Sequence, residues 1–153
     1  MYPPSHALAG LAIGSVGKYF GYFNNTDIVL LTSIATLIDL DHYIYFICKH
    51  KSLNIFKAWD NAVKNRERFQ RTAIHHIAGF IIFTLCLIGF FFINEKLAII
   101  LGAAYYSHYL LDYMSLPLKE RLKFKIGPLK FNVTYQEIVV DVLLIVVLVA
   151  FWV

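Results

Sequence analysis

Five apolar stretches, at residues 5–22, 28–48, 74–93, 97–114 and 137–152, leave this 153-residue chain few ways to fold. A bilayer core of about 30 Å takes roughly 20 consecutive apolar residues in a helix, and each stretch reaches or approaches that length. The first, rich in Gly and Ala, is the weakest, and the third, IAGFIIFTLCLIGFFFI, is the strongest. Only 16% of the residues are charged while 59% are hydrophobic, against about a quarter charged in a soluble domain. A short chain has proportionally much surface to keep wet, so this shortage of charge points to lipid. The expectation is one all-α, polytopic membrane bundle of about five transmembrane helices over residues 1–153.

MYPPSH lacks a basic leader and Lys18 interrupts the apolar core that a cleaved signal needs, so the first helix is expected to be retained. Cys48 and Cys86 lie far apart without Cys-x-x-Cys spacing and are expected to be ordinary buried thiols. Gly10, Gly14, Gly17 and Gly21 keep near one stripe of the first helix. Small residues there allow close approach of a neighbouring helix.

Of the 14 Lys and Arg residues, only Lys18 and Lys96 lie outside two stretches, one from Lys49 to Arg71 and one from Lys119 to Lys130. In an up-down bundle these two connections emerge on the same side, and the positive-inside rule makes that side cytoplasmic. The N-terminus is then inside, and the formal charge of +4 reads as topology and as attraction to anionic lipid headgroups. No nucleic-acid module is recognisable, and no nucleic-acid partner is expected. Two connecting pieces have a pattern of their own. In LNIFKAWDNAVKNRERF, Ile55, Phe56, Trp59, Ala62 and Val63 recur at helical spacing, as in a helix lying in the membrane interface. In RLKFKIGPLKFNVT, apolar residues alternate with Arg121, Lys123 and Lys125 before Gly127-Pro128, and Leu129, Phe131 and Val133 alternate again after it, which predicts a small cytoplasmic β-hairpin.

Placed on these helices, the ionisable groups gather at one level. His6 opens the first helix, and Asp39, Asp41 and His42 lie in the second half of the second. His75 and His76 open the third, His108 and Asp112 close the fourth, and Glu137 and Asp141 begin the fifth. His108 and Asp112 share a helix face, as do Asp39 and His42. Each intramembrane charge costs about 2.5–3.5 kcal/mol on insertion scales. Carboxylates and neutral imidazoles do not offset one another, whereas a bound cation or a set of protons does. A divalent metal suits the set, imidazole favouring zinc, iron or nickel and carboxylate extending the range to manganese. Asp41 also suits a role orienting a histidine, and Glu137 and Asp141 suit capping or pairing with basic loop residues.

The ordered motifs SHALAG, DLDH, RTAIHH and SHYLLD, followed by an acidic residue opening the last apolar helix, resemble the inner-membrane metal-dependent hydrolase family that includes a LexA-regulated member. The resemblance covers essentially the whole chain. By position, His6, Asp39, Asp41, His42, His108 and Asp112 match that family's histidines and aspartates. In its central motif, Arg71 and His75 match the arginine and second histidine, while Gln70 stands for the first histidine and His76 for a serine. Either His75 or His76 is thus open as a ligand, and Ile38 stands where the family often has proline. The motifs are in turn similar to those of zinc-dependent phospholipases C, which implies hydrolysis of a phosphoester in a lipid or other amphiphile.

The leading expectation is a membrane-embedded hydrolase holding roughly one to three divalent ions, zinc first and manganese or iron as alternatives. Its ligands would come from His6, Asp39, Asp41, His42, His75, His76, His108 and Asp112, with Asp39 or Asp112 bridging two ions. Asp41, then Glu137, is the expected general base, and Arg71 a phosphate clamp. A proton or ion relay would use the same residue types but spread them through the membrane depth. A metal-braced adaptor would have every coordination position filled by protein.

Overall fold

Asn24 and Asp27 close a reciprocal capping box at 3.0 and 2.7 Å, Asn94 and Thr134 cap two further helices, and Pro3 and Pro4 sit in a first helical turn, where proline is tolerated. The computed structural model describes residues 1–65, 75–114 and 120–152. In chain order its elements are α1 (Pro3–Tyr19), α2 (Asn25–Leu37), α3 (Leu40–His50), α4 (Ile55–Asn65), α5 (Ile77–Phe91), α6 (Glu95–Tyr113), β1 (Arg121–Ile126), β2 (Leu129–Thr134) and α7 (Tyr135–Ala150). Among the described residues the protein is mostly helical with one two-stranded hairpin, and α4 and the hairpin fall where the sequence pattern placed them.

The expected second helix is divided. Ile38 and Asp39 keep right-handed helical angles, but the N–H groups of Asp41 and His42 bond three residues back, to the Ile38 and Asp39 carbonyls. This tightened turn joins α2 to α3, and the 26 residues Asn25–His50 form the one stretch, among the described residues, long and apolar enough to cross a membrane. The third stretch, strongest by composition, forms a helix of only 15 residues, about 23 Å at the α-helical rise.

Packing is inverted relative to a soluble domain. The buried side chains are mostly small or polar, including Ala9, Ala12, Ala35, Ala104, Ser5, His6 and His108. Large apolar side chains face outward, and α5, with Ile77, Ile81, Ile82, Leu85 and Ile88 exposed, buries none of its residues. Cys48 and Cys86 are exposed as well, which corrects the expectation of burial: both lie on this outward-facing surface. Small apolar clusters bind the bundle, one joining Leu31 and Ala35 of α2 to Ile100 and Ala104 of α6, another joining Ala9, Leu111 and Val140.

The glycine stripe of α1 is the seam against α2. A Cβ on Gly10 would stand 2.7 Å from the Thr32 Cα, and one on Gly14 would stand 3.0 Å from Ile28. Gly21 serves differently, taking φ +79° in the turn after α1.

The hairpin pairs Arg121 with Thr134 through Ile126 with Leu129, turning at Gly127 with φ +57°. It carries α4 against it. The Trp59 indole N–H donates to the Lys130 carbonyl at 2.8 Å, and Lys130 pairs with Asp60 at 3.1 Å. Tyr2 stacks on Trp59 with ring centroids 5.5 Å apart, and Phe131 meets Trp59 edge-on at 5.3 Å. α4, the hairpin and the start of α1 thereby form one corner.

Gly10→Ala forces the α1 and α2 backbones apart and is expected to cost about 1–3 kcal/mol, the usual range for overpacking. Gly89→Ala, with open space around the position, should be neutral or gain roughly 0.5–1 kcal/mol of helix propensity. Thermal melts of both variants in detergent check the contrast.

Candidate metal centre

Four parts of the fold aim imidazoles and carboxylates at one volume: α1 with His6, the α2–α3 junction with Asp39, Asp41 and His42, the turn before α5 with His75, and α6 with His108 and Asp112. His6 Nε2 lies 3.3 Å from Asp112 Oδ1 and 3.7 Å from Asp39 Oδ2. His108 Nε2 lies 3.4 Å from Asp112 Oδ2 and 3.6 Å from Asp39 Oδ1. His75 Nε2 lies 3.3 Å from Asp112 Oδ2 and 3.1 Å from His108 Nε2. The His6 and His108 rings stack at 3.7 Å. Potential ligand atoms fall into two groups, His6–Asp39–His108–Asp112 and Asp39–His42–His75, each within 4.8 Å internally and sharing Asp39.

Hydrogen bonding around the groups decides where protons sit. His108 Nδ1 is 2.8 Å from the Ala35 carbonyl, which only accepts, so Nδ1 carries the hydrogen. His75 Nδ1 is 3.1 Å from Asp41 Oδ2, and a carboxylate likewise requires N–H there. In the neutral rings both Nε2 atoms then present lone pairs to each other at 3.1 Å. Two facing lone pairs repel unless a proton or a metal ion lies between them. His6 adds the same demand: it is fully buried, yet neither ring nitrogen has a hydrogen-bond partner among the described residues. Its Nε2 is close enough to Asp112 but wrongly directed for a hydrogen bond. The donor set therefore fits a cation: oriented imidazoles, a carboxylate common to both groups, and orphaned nitrogens.

His75 stands ahead of α5. Burial opposes its charged form, but hydrogen bonds to Asp112 and Asp41 and their charges outweigh that, raising its pKa from the ordinary 6.5 to about 9. The field that attracts this proton would attract a metal ion in its place.

Not every expected residue reaches the cluster. His75 belongs to it, whereas His76 stands at the N-cap position of α5 without a capping side-chain bond and is exposed, outside both ligand groups. Glu137 is 1% exposed, and its carboxylate accepts the Tyr2 N–H at 2.6 Å and lies 3.4 Å from the Ser5 hydroxyl. It holds the N-terminus of α1, which carries His6. Arg71 lies outside the described residues. Pattern reading missed the Ala35 carbonyl and the Tyr113 hydroxyl, which donates to the His75 carbonyl. The α-amino group of Met1 also pairs with Asp112.

The other end of the bundle is chemically different. There Lys96 pairs with Asp27 at 2.6 Å, and an apolar groove of about 460 Å³ opens between α5 and α6, lined by Leu87, Ile88, Phe91 and Ile99 among others. This groove lies away from the His/Asp cluster.

Comparison with known proteins agrees with this setting. A family model described as YdjM inner membrane protein matches residues 1–152. The chain belongs to the YdjM inner membrane protein family. No curated protein and no solved structure matches it. For a YdjM-family protein, the outward-facing apolar side chains have bilayer lipid as their surroundings. Membership bears out the inner-membrane resemblance read from the motifs, while the likeness to zinc-dependent phospholipases C has no counterpart among the matches.

In chelator-treated YdjM-family protein, the raised His75 pKa stabilises the fold fully below the unfolded value near 6.5 and loses that contribution as pH rises through about 9. Thermal midpoints measured across that window should fall for wild type and stay flatter for His75→Gln.

Proposed function

We propose that this protein is a membrane-embedded, metal-dependent hydrolase acting on phosphoester bonds of a lipid or other amphiphilic substrate at the cytoplasmic interface. The observation that carries the reading is the pair of ligand groups sharing Asp39. The group of His6, Asp39, His108 and Asp112 offers four protein ligands, the number that closes a structural zinc site. The group of Asp39, His42 and His75 offers three, the number characteristic of a catalytic site with a position left for substrate. The His42 side chain is 38% exposed, against 0–17% for His6, His75, His108, Asp39 and Asp112. Access is therefore from the His42 side. This asymmetry favours a hydrolase over a metal that only braces the bundle.

Zinc is the first choice of ion, with manganese or iron as alternatives for a mixed imidazole and carboxylate set. Such ions, when bound, act as Lewis acids toward a phosphoryl group and make water a competent nucleophile at neutral pH. The chain's own residues supply the rest. Asp39 joins the two positions, Asp41 fixes the His75 ring with Nε2 facing inward, and the Ala35 carbonyl does the same for His108. The likeness of the motifs to zinc-dependent phospholipases C supports phosphoester chemistry, and Arg71 is the proposed phosphate clamp.

For topology, we take α1, α2–α3, α5, α6 and α7 as the crossing elements, with the N-terminus and the metal centre cytoplasmic. The clustering of basic residues in the two connections beside the site supports that orientation.

Metal analysis of the full chain purified in detergent is expected to find bound zinc, with His108→Ala and Asp39→Ala losing it and His76→Ala keeping it. Asp41→Asn, which weakens the orientation of His75, should lower metal affinity about 10–100-fold. Hydrolysis of phosphoester and phospholipid substrates should follow metal content. Wild-type protein without bound metal would refute the reading, and metal without turnover would leave a bracing role.

A further inference from the structure

A second polar site lies at the α3–α4 corner, built from residues that the metal centre does not use. α3 ends on Lys51, a non-glycine residue with φ 52°, which turns the chain sharply into α4. The corner is firmly held. The Tyr43 hydroxyl donates to the Leu53 carbonyl at 2.8 Å, and the Asn54 side chain accepts the Lys57 N–H at 2.9 Å. Inside the turn is a pocket of about 470 Å³, lined by Phe46, His50, Ser52, Lys57, Asp60 and Asn61.

The charges in this pocket are of both signs and partly uncommitted. Lys57 and His50 offer a cation and an imidazole, and Ser52 adds a hydroxyl, a combination suited to a phosphate. Asp60 binds Lys130 through Oδ2 at 3.1 Å, and its side chain stays 35% exposed, so the carboxylate can be reached from the pocket. A carboxylate with a single ion pair keeps acceptor sites for a further N–H donor. Leu53, Ile55 and Phe56, next in sequence to the pocket, are exposed apolar residues on an amphipathic segment of the kind that lies in the headgroup layer.

We propose that this pocket binds the phosphoethanolamine headgroup of a membrane lipid, with the phosphate at Lys57, His50 and Ser52 and the primary ammonium at Asp60. A choline headgroup has no N–H to give Asp60, and a glycerol headgroup brings no positive charge to it. The corner also carries Trp59, which stacks on Tyr2 of the segment leading into α1, so a headgroup here would set the depth of the metal centre in the interface. The assignment does not depend on the metal or on catalysis.

Native mass spectrometry of the full chain in mild detergent, with added phosphatidylethanolamine, phosphatidylcholine or phosphatidylglycerol of equal acyl length, tests it. Phosphatidylethanolamine should be retained about tenfold better than phosphatidylcholine, the effect of one charge-assisted hydrogen bond. Lys57→Ala should weaken all three lipids. Asp60→Asn should remove the ethanolamine preference, whereas Lys130→Met, which breaks the same ion pair but keeps the carboxylate, should preserve it. Lys57 is exposed, so its variant keeps the test decisive if Asp60→Asn does not fold. Free phosphoethanolamine should displace the lipid only weakly, and displacement at equal concentration would overturn the lipid as ligand. Equal retention of phosphatidylethanolamine and phosphatidylcholine, or retention unchanged in both Lys57→Ala and Asp60→Asn, would show non-specific annular lipid and overturn the proposal.

Discussion

Negative and lone-pair-bearing groups crowded into a small apolar bundle need positive charge among them, and the arrangement of the other parts follows from that need. Asp39, Asp41 and Asp112 converge with four imidazoles in a volume a few ångströms across. In such a medium an uncompensated carboxylate is costly, and hydrogen bonds among acceptors cannot offset it. A cation at the centre, as proposed above, would turn the same groups into a strong tie between α1, the α2–α3 junction, the turn before α5 and α6. The apolar clusters are small, and the interior is built largely of alanine, glycine and serine. Close backbone approach along the α1 seam then serves the centre, because it brings His6 within reach of Asp39 and Asp112.

Much of this was legible in the sequence because it rests on local rules. Helix positions followed from apolar length, the hairpin from period-two alternation about Gly127-Pro128, and α4 from its helical spacing. The common level of the histidines and aspartates followed once alternate helices were taken to run in opposite directions. What escaped was non-local or too finely spaced. His75 and His76 are adjacent, so no periodicity distinguishes them, and only the tertiary fold turns one inward. The break at Ile38–Asp39 keeps helical angles and carries no glycine or proline, leaving no mark in composition. Glu137 looked like an acidic group among others, whereas its partners are a backbone N–H and a hydroxyl from the opposite end of the chain. The inward placement of Cys48 and Cys86 failed for a related reason: in this protein apolar surroundings lie outside.

The corner formed by Tyr2, Trp59 and Phe131 gives the amphipathic pieces a part in positioning the site. α4 and the hairpin are far apart in sequence, yet both rest on the residue that leads into α1. Glu137, at the start of α7, grips the same segment through the Tyr2 N–H. His6 is therefore located by three elements beyond its own helix, and a disturbance of α4 or the hairpin has a short mechanical route to its imidazole.

The tightened turn between α2 and α3 has one further effect. In a regular α-helix one lone pair of the Ala35 carbonyl takes the N–H of Asp39; beside this turn the carbonyl takes the N–H of His108 at 2.8 Å. A gap in the backbone ladder of one helix thus selects the tautomer of a side chain on another. Strengthening α2–α3 into a regular helix would improve the span as a helix and make that carbonyl share its two lone pairs between a backbone N–H and the ring that faces His75.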